Sequence, residues 1–249
     1  MSDPLQPLVD LPGVREAADR AREALGAVHR HRANRRGWPT TAAEAAVRGA
    51  RASASLDGGS TELPTPGQPG DPILSGSLRV GQALDGDALA LLQSTWRRAP
   101  LQALARLHLL AAADLVENQE LLGRPRADRG VAERLDGLAQ LVTGGTDAPA
   151  PILAAVVHGE LLTLRPFGVG DGIVARAASR LVAVSSGLDP HNLGVPEVSW
   201  LRRPQAYRNA AAAFASGETE GVGSWVILCC GAFEAGAREA TSIADAASG

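Results

Sequence analysis

Alanine dominates this sequence: 46 of its 249 residues are alanine, while aromatic residues make up only 3%. Alanine loses no side-chain freedom in a helix, whereas the β-branched and aromatic side chains that favour strands are scarce here. An all-α fold follows. With 45% hydrophobic residues, the chain has ample material for a buried core. Composition also excludes some chemistry. There is no lysine, so all 24 basic residues are arginine, and neither a Schiff base nor a Walker-A lysine is possible. A net charge of −3 argues against a general nucleic-acid binder, because phosphate affinity depends on surplus basic charge.

Punctuation divides the chain into helical segments. The first is expected over Gly13–Asn34, ending in the basic cluster His29-Arg30-His31-Arg32-Ala-Asn-Arg35-Arg36. Thr41-Ala-Ala-Glu44 reads as a capping box opening a second helix, Ala42–Leu56, which stops at Asp57-Gly58-Gly59. Gly58–Asp71, rich in Gly and Pro, reads as an exposed loop. Further helices are expected near Asp85–Trp96, Leu101–Leu115, Val131–Val142, Pro151–Leu164, Gly172–Gly187, Arg203–Ala215 and Val222–Ala247, with residues 121–130 irregular. Residues 1–39 thus form an N-terminal helix and basic cluster, and residues 40–249 the main domain.

Several features read as structural. Cys229 and Cys230 are adjacent inside an apolar run, as buried small hydrophobes would be, and no zinc spacing exists. The basic cluster reads as a solvated helix end, and the four tryptophans as core or interface anchors. No secretory leader is visible at Met1, and the longest apolar stretch, Trp225–Phe233, is too short for a bilayer needing ~20 residues. The expectation is a cytoplasmic protein without membrane contact.

One stretch departs from ordinary bundle sequence: His158-Gly-Glu-Leu-Leu-Thr-Leu-Arg165-Pro166-Phe167-Gly168-Val169-Gly170-Asp171-Gly172-Ile173-Val174-Ala175-Arg176. A helix ends near Leu164, glycines follow, and a new helix starts near Gly172. Backbone N–H groups and the positive dipole end converge there, as in an anion or phosphate site. Three glycines also suit a tight helix–helix corner, and both readings stand. A dinucleotide fingerprint fits poorly, since Ile173 occupies the third glycine position and a helix precedes the loop instead of a strand.

This segment resembles the core motif of the Fic (Fido-fold) family, His-Pro-Phe-x-(Asp/Glu)-Gly-Asn-Gly-Arg-x-x-Arg. Pro166, Phe167, Gly170, Gly172 and Arg176 match it; Arg165 replaces the histidine, Val169 the acid, Asp171 the asparagine and Ile173 the first arginine. His158, seven residues before Arg165, matches a histidine common upstream in that family. Ser53-Ala-Ser-Leu-Asp57-Gly58 is similar to the family's inhibitory motif, Ser/Thr-x-x-x-Glu-Gly/Asn, with Asp for Glu, which makes the segment 40–58 an inhibitory-type helix. Leu104-Ala-Arg-Leu-His108 resembles the helix before the family's flap, and Gly123–Pro151 the flap region.

The resemblance implies transfer of AMP from ATP to a protein hydroxyl, with the motif histidine as general base and the acid holding Mg²⁺. The departures argue against that chemistry here. A guanidinium stays protonated and cannot be the base; Val169 offers a hard cation no oxygen; Asp171 places a carboxylate beside the nest, opposing phosphate. The expectation is a pseudoenzyme with little or no AMP transfer, keeping a nucleotide- or anion-binding or protein-interaction role. The anion-binding set is Arg165, Pro166, Phe167, Gly168, Gly170, Asp171, Gly172 and Arg176; the inhibitory set is Ser53, Asp57 and Gly58. No metal ligand is expected, ATP is the implied nucleotide, and Mg²⁺ would be poorly held. Arg165 reads either as an anion clamp or as a solvated loop arginine. A divergent nucleotidyltransferase with a base other than histidine is the alternative; His158 reads as a packed core histidine and Asp171 as the other candidate base. A protein partner and a homodimer stay open. Asp57 is expected to pair with Arg176.

Overall fold

A computed structural model describes residues 3–63 and 70–248. Among these residues there are twelve α-helices and no strand. In chain order they are α1 (Gln6–Val9), α2 (Val14–Arg30), α3 (Asn34–Leu56), α4 (Pro72–Ala83), α5 (Gly86–Arg98), α6 (Pro100–Ala112), α7 (Val131–Gln140), α8 (Ala150–Leu164), α9 (Asp171–Ser185), α10 (Pro196–Arg202), α11 (Pro204–Ala215) and α12 (Thr219–Ala246). The expected segments are present with ends shifted by a few residues. The centre of the expected loop, residues 64–69, lies outside the described residues.

The antiparallel pair α8 and α9 forms the axis, wrapped by α2, α3, α5, α6, α7, α11 and α12. A helix at the centre must be apolar all round. In α9, 13 of 15 residues are buried, so its polar side chains need partners inside the protein. Small residues such as Ala155 and Ala178, both fully buried, let neighbouring helices approach closely. Trp96, Trp200 and Trp225 fill the core as expected; Trp38 is half-buried and stacks on His191 at 4.1 Å. Cys229 and Cys230 are free and buried. The basic cluster ends α2: its four arginines are exposed, while His29 Nε2 meets Asp189 Oδ1 at 2.8 Å.

The structure corrects the sequence reading in three places. Thr41 does not cap a helix. α3 begins at Asn34 and continues past Pro39, and the Thr41 hydroxyl donates to Asn34 Oδ1 at 2.7 Å and to the Trp38 carbonyl at 3.0 Å. Pro39 lies on the exposed side early in the helix, where water can serve the carbonyl it leaves without a donor. The N-terminal boundary expected at residue 40 therefore falls inside a continuous helix. Two missed helices, α4 and α10, each carry proline at the first helical position, and Asp71 Oδ1 accepts the Leu74 N–H at 2.7 Å to cap α4. The four-residue helix α1 was also missed.

Candidate functional site

α8 ends at Arg165, which adopts a left-handed conformation (φ 46°), and α9 begins after Gly170 (φ 68°). The intervening loop is held from two sides. Arg126, in the irregular segment before α7, donates from Nε to the Arg165 carbonyl (2.9 Å) and from Nη2 to the Leu164 carbonyl (3.0 Å), while its backbone N–H donates to the Pro166 carbonyl (2.7 Å). A cation at the carbonyl end of α8 is favourably placed. From beneath, the His108 ring of α6 stacks on Phe167 with centroids 4.1 Å apart. His108 Nδ1 accepts the Gly123 N–H at 2.9 Å, and burial pushes its pKa down.

Asp171 turns back into this loop. Its Oδ1 accepts the Phe167 N–H at 2.9 Å, the residue is 5% exposed, and burial raises its pKa. Through that bond Asp171 holds the loop, while it also lines the cavity in front of it. A second carboxylate, Asp57, reaches the loop from α3. Gly58 (φ 88°) ends α3 with a left-handed turn, and Asp57 sits just before it. A carboxylate is poorly placed at its own helix C-terminus but well placed at the N-terminus of another. Asp57 lies over Gly172 at the start of α9, so closely that a Cβ there would collide with both carboxylate oxygens.

Arg176 completes the contact. Its Nη2 is 2.8 Å from Asp57 Oδ1 and donates to the Ser53 carbonyl at 3.0 Å; Nε donates to Ser53 Oγ at 2.8 Å, and Nη1 to the Tyr207 hydroxyl at 3.4 Å. The expected pairing of Asp57 with Arg176 is thus made. Burial by itself lowers the Arg176 pKa, but the Asp57 carboxylate and the hydrogen bonds to Asp57 and Tyr207 outweigh it and hold it above the ordinary value. Tyr207, on α11, was not singled out in the sequence. Its hydroxyl also meets His158 Nε2 at 2.8 Å, and His158 is fully buried, with burial and then the Arg176 charge holding its pKa well below the usual value. His158 is a neutral core histidine, as the sequence reading had it.

In front of the loop is a cavity of about 520 Å³. Ile73, Leu115, Leu162, Val169 and Ile173 give it apolar walls, and its charged lining residues are Asp57, Arg165 and Asp171. Arg165 is exposed at the mouth, its Nη2 donating to the Gly168 carbonyl at 3.2 Å. Neither His108 nor His158 lines the cavity. Mg²⁺ fits these residues poorly: Val169 stands at the acid position, and the two carboxylates nearby each have one oxygen engaged, Asp57 Oδ1 by Arg176 and Asp171 Oδ1 by the Phe167 N–H. Among the described residues no group of three or more metal-binding side chains converges.

A helical pair joined by a glycine-rich loop, with an upstream helix placing a carboxylate over the start of the second, marks the class of all-α fold to which this chain is compared. The crystal structure of a Fic family protein from Desulfovibrio desulfuricans G20, at 2.70 Å resolution, matches this chain with a TM-score of 0.70 and 18% sequence identity, covering 93% of this chain and 75% of that one. The fold is the Fic fold. No family model matches the sequence, and no curated protein matches it. No helix among the described residues is long and apolar enough to cross a membrane.

Proposed function

We propose that this Fic-fold protein is a pseudoenzyme: it receives an anionic group, such as a nucleotide phosphate, at the N-terminus of α9, and Asp57 competes for that place. One observation carries the reading. A carboxylate already occupies the cradle over Gly172 and is held there by Arg176, so the cradle suits an oxyanion and is closed by the chain's own acid. The lack of AMP transfer follows from the lining. Arg165 cannot take a proton from a hydroxyl, Asp57 is ion-paired, and Asp171 is buried in the loop. A role in holding a protein partner is compatible with the exposed Val169 at the mouth.

Two measurements test the reading. Calorimetric titration with inorganic phosphate and with ATP should give binding at least about tenfold tighter for Asp57→Ala than for the unmodified protein. Equal affinities would show that Asp57 does not guard the cradle. Incubation with α-³²P-ATP and Mg²⁺ should leave protein and lysate unlabelled. Label that disappears in Arg176→Ala would establish a nucleotidyltransferase with another base.

A further inference from the structure

On the far side of Tyr207 from the loop cavity lies a groove of about 630 Å³ between α10–α11 and α12. That volume is in the range of small-molecule sites. Its floor is a stripe on α12 at helical spacing, Ile227, Leu228, Gly231 and Ala235, facing the stretch from Ser199 to Tyr207. Every charged side chain in its lining is an arginine: Arg202, Arg203 and Arg238. Arg202 meets Glu239 at 3.2 Å and Arg238 meets Glu234 at 2.6 Å, and these pairs are at the surface, where such contacts are weak. Among the described residues Arg203 makes no ion pair. The groove wall also includes Trp200, 2% exposed, whose indole N–H is buried without an acceptor. A buried donor left unpaired is costly and uncommon in a folded protein.

An apolar floor and an arginine rim describe a site with a polarity. We propose that this groove is a second binding site, for an organic anion with an apolar body, such as a medium-chain carboxylate. The tail would lie along the α12 stripe and the acid group would face Arg203 and Arg238, since a guanidinium fork suits a carboxylate. The proposal is independent of the reading of the loop cavity, whose lining shares no residue with the groove.

Gly231 supplies the test. It is exposed on α12, and a Cβ there meets open space, so Gly231→Leu fills the groove without a clash and replaces a poor helix former by a good one. Decanoate, kept below its micelle concentration, is titrated into the full chain by calorimetry, with decanol and acetate as the uncharged and tailless controls. Decanoate should bind one per chain at least about tenfold tighter than either control. Gly231→Leu should lose that affinity at least about tenfold with an unchanged or raised Tm, and Arg203→Gln should weaken it by about threefold to tenfold. The proposal is overturned by decanol binding as well as decanoate, by Gly231→Leu binding normally, or by no decanoate binding at millimolar concentration. It is equally overturned by a dimer that Gly231→Leu converts to monomer, which would make a second copy the occupant.

Discussion

Arg176 and Arg180 stand one turn apart on α9, both buried and both facing a carboxylate, yet they sit in different kinds of surroundings. Arg180 and Glu197 border only a void of about 20 Å³. Arg180 donates to Asn192 Oδ1 (2.7 Å), to the Asn192 and Gly194 carbonyls, and to Glu197 at 3.3 Å, and Glu197 is itself 3% exposed. Arg176 is equally buried, but the side chain of its carboxylate partner, Asp57, keeps 23% of its exposure and lines a cavity. A charge pair sealed in the core can only hold helices together. A pair with one member at a cavity wall can also be exchanged for a ligand. The same residue type on the same helix thus ties the core at one position and, in the function proposed above, closes a site at the other.

The sealed pair should be the costlier to break. Arg180→Gln leaves Glu197 buried without its cation, and a destabilisation of about 3–5 kcal/mol is expected in denaturant unfolding. A loss below about 1 kcal/mol would put Arg180 in the class of surface pairs and end the contrast. For the other pair, a double-mutant cycle with Asp57→Asn and Arg176→Gln should give a coupling of about 1–2 kcal/mol, because Arg176 is shielded while Asp57 is partly solvated. Additive single effects would mean that the two charges act independently.

Asp171, the other carboxylate at this end of α9, sharpens the contrast through pH. Its pKa is raised by burial, so the folded state holds its proton to higher pH than the unfolded chain does. Its contribution is therefore fully present below the unfolded value of about 3.8 and is lost as pH rises through the folded value. Asp171→Asn keeps an acceptor for the Phe167 N–H and removes the buried charge. It should stabilise by about 1 kcal/mol at pH 7 and show no gain near pH 4. A gain independent of pH would assign the effect to something other than this charge.

Much of this was legible in sequence because helix signals are local. The break from Leu164 to Gly172, the stop at Asp57-Gly58 and the anion-nest composition all sit within a few residues of one another. Where the reading failed, a local signal was outweighed or passed over. Thr41 looks like a cap, but Asn34 and Trp38 claim its hydroxyl. Asp71-Pro72 was a start signal taken only for the end of a loop. The bond from the Phe167 N–H to Asp171 depends on how the loop turns, which residue spacing alone does not give. Tyr207 and Arg126 carry no motif at all, and only packing brings them to Arg176 and to the end of α8.

By itself the sequence determined the all-α class and the position of the glycine-rich loop between Leu164 and Gly172, since these depend on residue identity and short spacing. Tertiary structure decided which carboxylate pairs with Arg176 and which bonds the loop at Phe167. Ser53 and Asp57 reach Arg176 from a helix far away in the chain, and Tyr207 joins them from another. Such meetings depend on how α3, α9 and α11 dock around one buried guanidinium, which must find partners wherever the packing supplies them.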